Sequence, residues 1–383
     1  MLGGGFAGLA SALALARDGH EVTLVERDPF PGGPAADAPE WPRRGIPHFL
    51  QPHAFIPRGC VELRRSFPDV YATLLDVGAD EADLRAKLPG ELRPGDEDLR
   101  YLGVRRPVIE WALRDAVLRS PSVTVHAGPH VTGLDVERGR VTAVRVDGVP
   151  FDAGLVVDAL GRRTPVPGWT GAGEGVSTDC GVVYYSRYFR RRPGFEPPDG
   201  PWLHSPRGDL GYFGFATFPG DNDTFSVLLA VPPGVAEWRP LKDEPAWEAA
   251  VARIPVLASW VDPDGVDPIT GVMAMAGLRN SLRDWDTAAP AGLVPVGDAL
   301  GHTDPVLAHG LAFGLVHAAA LVAALREHAD VADAAAAYAA DVRPALRERY
   351  DLASALDEQR LRLWSGGSVD VTSPDGDYEL FTV

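Results

Sequence analysis

The chain opens with a helical pattern that is followed directly by a short strand pattern. Phe6–Arg17 has the length and composition of a helix, with small and apolar residues almost throughout and no proline. A turn at residues 18–20 leads into an apolar strand at residues 21–25, which ends at Glu26. This order predicts the helix and the second strand of a strand–helix–strand unit, and therefore an α/β domain at the N-terminus.

Strand patterns dominate the middle of the chain. A helical period begins at Arg105, and the strands predicted after it cover residues 123–126, 131–136, 141–146 and 155–158. Aromatic and β-branched residues then fill 182–190, 211–218 and 224–231, which predicts a second, mixed sheet. One face of that sheet could line an apolar substrate pocket or belong to the core. Both interpretations stay open for the candidates Tyr184, Tyr185, Phe213 and Phe215.

Helical patterns dominate the C-terminal part. Residues 292–296 predict a buried strand, 311–326 a long helix rich in Ala and Leu, and 333–363 one or two further helices. Residues 29–47 are rich in Pro, Gly and Ala and predict an irregular connection. The last residues, 366–383, predict a loosely structured tail.

Composition narrows the possible partners and compartment. The 383 residues include 36 Lys and Arg against 53 Asp and Glu, a formal net charge of −17, which argues against nucleic acid as a partner. The sequence shows no uninterrupted apolar run long enough for a membrane span and no signal-peptide pattern. The two cysteines, Cys60 and Cys180, are too few for a disulfide framework and lack metal-binding spacing. We therefore expect a cytoplasmic protein.

Three glycines at the N-terminus form the pattern G-x-G-x-x-G. Gly3 permits a tight turn, Gly5 lets the backbone approach a pyrophosphate, and Gly8 lets the helix pack closely on the sheet. The helix start offers free N–H groups and the positive end of its dipole to phosphates. Glu26, at the tip of the next strand, can accept hydrogen bonds from ribose hydroxyls and would repel a 2′-phosphate. The sequence therefore predicts a site for FAD or NAD rather than NADP.

The first strand of this unit is unusually short. Only Met1 and Leu2 precede Gly3, whereas a β-strand usually has ~5 residues. We expect that the native chain starts before Met1 or that the initiator is misassigned, which mass spectrometry of the native N-terminus would test.

The connection at residues 29–53 contains candidate ligand-binding side chains. Arg43 or Arg44 could grip a pyrophosphate with a planar guanidinium, the alternative being a solvated basic pair. His53 could face substrate or flavin, the alternative being a structural loop histidine. His48 and His53 have no third ligand at a suitable spacing, so we expect no metal.

Two later motifs extend the pattern. Residues 156–169 read VVDALGRRTPVPGW and residues 297–311 read GDALGHTDPVLAHGL. Asp298 follows a buried strand, where α/β sheets bind ligands, and can accept hydrogen bonds from ribityl hydroxyls. The helix start near Gly310 can stabilise negative charge on a flavin ring. With the glycine fingerprint, these motifs resemble the FAD-dependent monooxygenase superfamily with the para-hydroxybenzoate hydroxylase-type fold. That superfamily also contains flavin halogenases, squalene-epoxidase-like enzymes and geranylgeranyl reductases.

This resemblance spans nearly the whole chain and implies an architecture. It is an α/β fold, in which a Rossmann-like FAD-binding domain carries an inserted mixed β-sheet substrate domain and C-terminal helices. The implied FAD-binding domain is discontinuous and comprises residues 1–60, 96–175 and 276–330. The substrate domain comprises 61–95 and 176–275, the C-terminal helices 331–365, and the tail 366–383.

The resemblance also implies roles for single residues. Arg106 would reach the cofactor phosphates, and the backbone of Val131 would contact the adenine. Ala159 replaces the glycine that follows the aspartate of this motif in aromatic hydroxylases, which puts direct use of NAD(P)H in doubt. Electrons would come from NAD(P)H docking on the surface or from a separate flavin reductase. The predicted cofactor-binding set is Gly3, Gly5, Phe6, Ala7, Gly8, Glu26, Arg27, Arg44, Arg106, Val131, Asp158, Gly161, Gly297, Asp298, Pro305, Gly310 and Leu311.

The activity implied is that of an FAD-dependent monooxygenase. It would insert one oxygen from O2 into an apolar or aromatic small molecule through a flavin C4a-(hydro)peroxide, and no side chain is assigned as catalytic. Halogenation is disfavoured, because neither Lys87 nor Lys242 lies in a halogenase-like context and the Trp-x-Trp-x-Ile-Pro segment is absent. The alternatives are an FAD-dependent reductase or dehydrogenase that acts on a C=C bond and a non-catalytic flavin-binding protein.

Overall fold

The elements below come from a computed structural model that describes residues 1–88, 90–198, 205–285 and 289–368. Most of the predicted tail therefore lies outside the described residues. The α-helices are α1 Phe6–Arg17, α2 Pro57–Ser66, α3 Pro68–Asp76, α4 Arg106–Arg119, α5 Val166–Thr170, α6 Glu244–Val251, α7 Pro255–Ala258, α8 His309–Glu327 and α9 Val331–Trp364.

The strands fall into small sheets and one larger sheet. Their bounds are β1 Val22–Glu26, β2 Asp80–Asp83, β3 Arg100–Gly103, β4 Val123–Ala127, β5 Val131–Glu137, β6 Arg140–Val146, β7 Val149–Asp152, β8 Val156–Asp158, β9 Gly173–Asp179, β10 Val183–Arg191, β11 Arg207–Asp209, β12 Gly214–Pro219, β13 Thr224–Val231, β14 Val266–Pro268, β15 Met273–Met275, β16 Arg279–Asp284, β17 Leu293–Pro295 and β18 Gly301–His302.

A parallel layer is built around the first residues of the chain. Leu2 forms parallel bridges to β1 on one side and to β8 on the other. Its amide donates to the Val157 carbonyl at 2.9 Å, and its carbonyl accepts from the Ala159 amide at 2.8 Å. Because β4 is parallel to β1 and β17 is parallel to β8, the spatial order is β4, β1, Leu2, β8 and β17. The carboxyl ends of these strands therefore meet at one edge.

Helices α1 and α8 pack against each other beside this layer. Almost all of α1 is buried, as expected for a helix that is apolar around its whole circumference. Within the described ranges, α8 is the one helix long and apolar enough to cross a membrane. It contacts α1, α2 and α9 and is more than half buried, which is the arrangement of a core helix.

The larger sheet has the order β11, β12, β13, β10 and β14, with β15 also paired to β10. The pairs formed by these strands are antiparallel. Strand β13 is buried along its whole length, because both faces of the sheet are covered. One face packs on Trp247 of α6, Leu257 of α7 and Trp260, which follows α7. The opposite face packs with Cys180 and Leu278.

An ion pair joins the two layers. The Arg105 guanidinium, next to the start of α4, donates to both carboxylate oxygens of Asp221, with its shortest contact at 2.7 Å. Asp221 also accepts from the Arg105 amide at 2.8 Å and is fully buried. This contact holds the β12–β13 turn against the first turn of α4.

Candidate functional site

A cavity of about 420 Å³ runs along the carboxyl edge of the parallel layer. This is within the size range of small-molecule sites. Its wall includes both the glycine turn before α1 and the loop that leads into α8. Six arginines face three carboxylates in its lining, although the chain as a whole is acidic: Arg27, Arg44, Arg106, Arg162, Arg163 and Arg279 against Glu26, Asp298 and Asp304. The excess of positive charge favours an anionic ligand.

The glycine turn forms one part of the wall. Gly3 has a φ of +95°, and a Cβ there would lie 2.6 Å from the Ala159 carbonyl oxygen, so this position requires glycine. Gly5 precedes α1 without any side-chain cap, and the first turn of α1 carries no acidic residue. The free amides at the start of α1 can therefore receive a phosphate.

Glu26 ties the turn to the following loop. Its carboxylate accepts the Gly4 amide at 2.7 Å and the Asp28 amide at 2.8 Å. Arg43 is buried behind it and lies 3.4 Å from Glu26 and 3.4 Å from Glu110. Arg44 instead lines the cavity, so the structure separates the two neighbouring arginines.

The third motif forms the far part of the wall. Gly297 has a φ of +57°, and its amide donates to Nδ1 of His317 at 2.9 Å. Asp298 lines the cavity directly after this turn. Helix α8 begins without a side-chain cap, and a Cβ at Gly310 would meet no atom within 4 Å. The start of α8 therefore presents open space and free amides to the cavity.

The second motif lies between these two parts. Gly161 lines the cavity, with a φ of +76° and open space at its Cβ position. Asp158 is fully buried and accepts from the Leu160 amide at 3.0 Å and from the Thr164 hydroxyl at 2.7 Å. Burial raises the pKa of Asp158 to about 6. Asp158 thus shapes the loop that carries Gly161 and does not itself line the cavity.

His53 and Arg106 meet in the cavity wall. Nδ1 of His53 lies 2.7 Å from the Gln51 carbonyl, and Nε2 lies 3.2 Å from the Arg106 guanidinium. Because arginine only donates, the neutral His53 carries its proton on Nδ1 and accepts with Nε2. Burial, together with Arg106, lowers the pKa of His53 to about 3. Arg106 also donates to Glu110 at 2.8 Å, which fixes its position.

Three more histidines line the cavity with an unpartnered nitrogen. Nδ1 has no hydrogen-bond partner in His48, His302 and His309. Burial lowers the pKa of all three, to about 4 for His309. These imidazoles are therefore neutral at pH 7 and can donate or accept one hydrogen bond each from a bound ligand.

The predicted residues divide into two groups. His53 and most of the predicted cofactor set line the cavity: Gly3, Gly5, Phe6, Ala7, Glu26, Arg27, Arg44, Arg106, Val131, Gly161, Gly297, Asp298, Pro305, Gly310 and Leu311. Six others lie outside its lining: Gly8, Asp158, Tyr184, Tyr185, Phe213 and Phe215. Tyr185 and Phe213 are buried on the face of the large sheet that packs on α6 and α7, and Phe215 packs against the same cluster. Substrate contact by the four aromatic residues stays a prediction.

One further group has the ligand atoms of a metal site. Oxygen and sulfur atoms of Cys180, Asp304 and Asp357 lie within 4.8 Å of one another. Nη2 of Arg360, however, donates to both carboxylates, at 2.8 Å to Asp304 and 2.5 Å to Asp357. The guanidinium thus supplies the positive charge between them.

Two residues that matter for the site carried no sequence signal. Arg283 donates to the carbonyls of Asp298 at 2.9 Å and of Arg162 at 2.5 Å, which joins the second and third motifs. His317 orients the Gly297 turn from within α8. Each acts on backbone groups across the fold, and no local spacing could have identified it.

Comparison with known proteins supports this architecture. Residues 2–65 match the family model of the NAD(P)-binding Rossmann-like domain. No curated protein matches the chain in sequence.

Three solved structures share the fold over nearly the whole chain. PqsL, a probable FAD-dependent monooxygenase from Pseudomonas aeruginosa, is 16% identical with a TM-score of 0.71 and covers 95% of this chain and 97% of its own. CmlS, a flavin-dependent halogenase, is 19% identical with a TM-score of 0.70; the match covers 98% of this chain and 68% of the CmlS chain. A variant of 2-methyl-3-hydroxypyridine-5-carboxylic acid oxygenase is 17% identical with a TM-score of 0.69; the match covers 99% of this chain and 95% of the oxygenase chain. The predicted fold, Rossmann-like with a second sheet and C-terminal helices, is confirmed.

Proposed function

We propose that this protein is an FAD-dependent monooxygenase that acts on an apolar or aromatic small molecule. One observation carries the proposal: a single cavity joins the glycine turn and Glu26 to Asp298 and the start of α8. A dinucleotide with a ring system at its far end needs such a continuous slot. The shared fold of the flavoproteins described above supports the same interpretation.

The residues of the cavity fit FAD on three independent grounds. Glycines leave open space at Gly161 and Gly310, and a Cβ at Gly5 would meet only Ile46, at 3.5 Å, so a side chain at these positions would enter the cavity. Two helix starts, those of α1 and α8, point uncapped amides at it. The lining also holds buried imidazole nitrogens without a partner, which a polar ligand would satisfy.

Each part of the wall has a proposed task. Glu26 would accept the ribose hydroxyls, Arg27 and Val131 would flank the adenosine, and Gly3 to Ala7 with Arg44 and Arg106 would bind the pyrophosphate. Asp298 would hold the ribityl chain. Pro305, Gly310 and Leu311 would lie along the flavin ring, where the dipole of α8 stabilises negative charge by roughly 0.3–1 kcal/mol.

When bound, FAD would supply the reaction of a reduced flavin with O2, and the protein would supply position, charge and exclusion of water. The wall near Asp304 carries apolar groups from Ala54, Met275 and Leu278, which suit an apolar substrate. The electron donor would be NAD(P)H, either directly or through a flavin reductase. His53, whose pKa is lowered by burial and by Arg106, lines the cavity and would contact the substrate or the flavin.

The test begins with the purified protein and a substrate panel. We expect a flavin spectrum that persists through gel filtration, reduction by NADH, NADPH or an added flavin reductase, and product heavier by one oxygen atom derived from ¹⁸O2. Turnover that continues without O2 would favour a reductase acting on a C=C bond. A colourless protein that takes up no FAD would contradict the proposal altogether.

A further inference from the structure

A buried arginine on α4 contacts the loop between β1 and α2 at two points. The guanidinium carbon of Arg114 lies 3.9 Å from the centre of the Phe30 ring and 4.3 Å from the centre of the Trp41 ring. Phe30 precedes the short 3-10 helix Ala35–Glu40, and Trp41 follows it directly. We call these three side chains the Arg114 clamp. The clamp joins both sides of the 3-10 helix to one position on α4.

The two rings are the close partners of the Arg114 guanidinium. Arg114 is 1% exposed, and none of its three guanidinium nitrogens has a hydrogen-bond partner. No acidic side chain in the described part of the chain forms an ion pair with it. Burial lowers its pKa to about 10, so the group is still charged at pH 7. Because a guanidinium is weakly hydrated and stacks well on aromatic rings, stacking stabilises this desolvated cation.

The loop beyond Trp41 forms part of the cavity wall. Residues 44–48 all line the cavity. Trp41 packs with Ala38 and Phe49 in a small apolar cluster that is separate from the main core of the protein. The position of this wall segment therefore depends on how Trp41 is held, and Trp41 lies against Arg114.

Arg44, the arginine of this wall segment, is not fixed by a polar contact of its own. Within the described residues, its guanidinium forms no hydrogen bond and no ion pair. Its neighbour Arg43, in contrast, donates to the Gly4 carbonyl at 2.9 Å and is surrounded by carboxylates. The direction of the Arg44 side chain therefore follows the backbone of the loop, three residues after Trp41.

We propose that Arg114 is a positioning residue for the cofactor phosphates, because its stacking on Phe30 and Trp41 holds the loop with Arg44 facing the cavity. Arg114 does not line the cavity and acts only through the loop. The clamp rests on the geometry alone, whereas the phosphate contact of Arg44 rests on the proposed function. When the clamp is weakened, only a fraction of the molecules presents Arg44, and the apparent affinity for a phosphate ligand falls by that fraction.

The first test addresses the clamp in the apoprotein. Arg114→Lys keeps the positive charge but replaces the planar guanidinium with a strongly hydrated ammonium group. Hydrogen exchange of the amides of residues 42–49, read by mass spectrometry, should become about tenfold faster, while exchange in β13 should stay the same. Arg119→Lys, at an exposed position of the same helix, should leave the loop unchanged. Unchanged exchange of the loop in Arg114→Lys would overturn the clamp.

The second test addresses Arg44, with ADP as the probe in calorimetric titration. Arg114→Lys should bind ADP about tenfold more weakly than the unmodified protein, and Arg119→Lys should bind it equally well. Two variants of the ring partner provide a check if Arg114→Lys does not fold. Trp41→Leu should weaken ADP binding, whereas Trp41→Phe keeps an aromatic ring and should retain most of the affinity. Equal ADP affinity in Arg114→Lys or Trp41→Leu and in the unmodified protein would overturn the positioning role.

A double-mutant cycle separates positioning from a general loss of structure. In an Arg44→Ala background, Arg114→Lys should cause no further loss of ADP affinity, because the group that it positions is gone. Losses that multiply in the double variant would show that Arg114 acts independently of Arg44 and would overturn the proposal. An unmodified protein that binds neither ADP nor FAD would contradict the proposed function together with the phosphate contact, while the exchange measurement would still decide the clamp.

Discussion

At the scale of single residues, the second and third glycines of the first motif, Gly5 and Gly8, differ in what they face. A Cβ at Gly8 would lie 2.0 Å from the Gly3 carbonyl oxygen, whereas a Cβ at Gly5 would meet only Ile46, at 3.5 Å. Gly8→Ala should therefore destabilise the protein by about 1–3 kcal/mol through overpacking. Gly5→Ala should change stability by less than about 0.5 kcal/mol but weaken FAD binding, because its methyl group enters the cavity.

Urea unfolding of the apoproteins and titration with FAD followed by flavin fluorescence separate the two effects. Gly310→Ala serves as a second cavity variant, since its Cβ would meet no atom within 4 Å. Normal FAD affinity in both Gly5→Ala and Gly310→Ala would contradict the assigned cofactor position.

The neighbouring arginines of the first loop allow a similar comparison. Arg43 is 1% exposed at its side chain and stands among Glu26, Asp28 and Glu110. Arg43→Ala would leave buried carboxylates without their counter-charge and should cost about 3–5 kcal/mol. Arg44→Ala should leave the free energy of unfolding nearly unchanged and weaken binding of FAD and of ADP alike, because it removes a cavity-lining charge. Calorimetric titration with ADP measures this, and equal ADP affinity for the unmodified protein and Arg44→Ala would exclude a phosphate contact.

At the scale of elements, local sequence predicted most of what is built locally. The helix predicted over Phe6–Arg17 has those bounds, and the predicted strands near residues 123, 131, 141, 183 and 224 are present within two residues. The strands β2, β3, β9 and β18 were not predicted, because each is ordered by its partner strand rather than by its own composition.

The link between α4 and the large sheet yields a prediction at the same scale. Burial alone would raise the pKa of Asp221, but the Arg105 guanidinium lowers it below its usual value. Asp221→Ala leaves the Arg105 guanidinium without its counter-charge and should destabilise the protein by about 3–5 kcal/mol. The exposed Asp223, in the same turn, provides the control variant Asp223→Ala, for which we expect about 0–1 kcal/mol. Urea unfolding measures both, and similar losses would show that Asp221 contributes no more than a surface ion pair.

At the scale of the whole molecule, the sequence could identify the ends of the cavity but not its side walls. The motifs give Gly5, Glu26 and Asp298, whose places follow from the topology of a parallel sheet. The sheet face on which each aromatic side chain lies could not be predicted, because β10 and β13 are buried on both faces and their sequences do not alternate between apolar and polar residues. Tyr184 turns toward Asp304, while Tyr185 turns toward the helices that cover the opposite face.

Buried neutral histidines make the stability of the fold depend on pH. His317 is 1% exposed and accepts the Gly297 amide with Nδ1, and burial lowers its pKa from 6.5 to about 4. Between pH 6.5 and about 4, His317 binds a proton in the unfolded chain but stays neutral in the folded chain. The stability that depends on the neutral His317 is therefore present above pH 6.5 and is lost as the pH falls. The shift corresponds to about 3 kcal/mol by pH 4.

A variant isolates this contribution from other groups. The raised pKa values of Asp158 and Asp357 act in the opposite direction, so the total stability of the protein is not a clean measure. His317→Gln keeps an acceptor for the Gly297 amide but does not titrate. The stability advantage of the unmodified protein over this variant should shrink by about 3 kcal/mol between pH 6.5 and pH 4. Urea unfolding of the unmodified protein and of His317→Gln across this pH range measures the change. A constant difference for His317→Gln would mean that His317 takes up its proton equally in the folded and the unfolded chain, so that its burial does not exclude the charged imidazole.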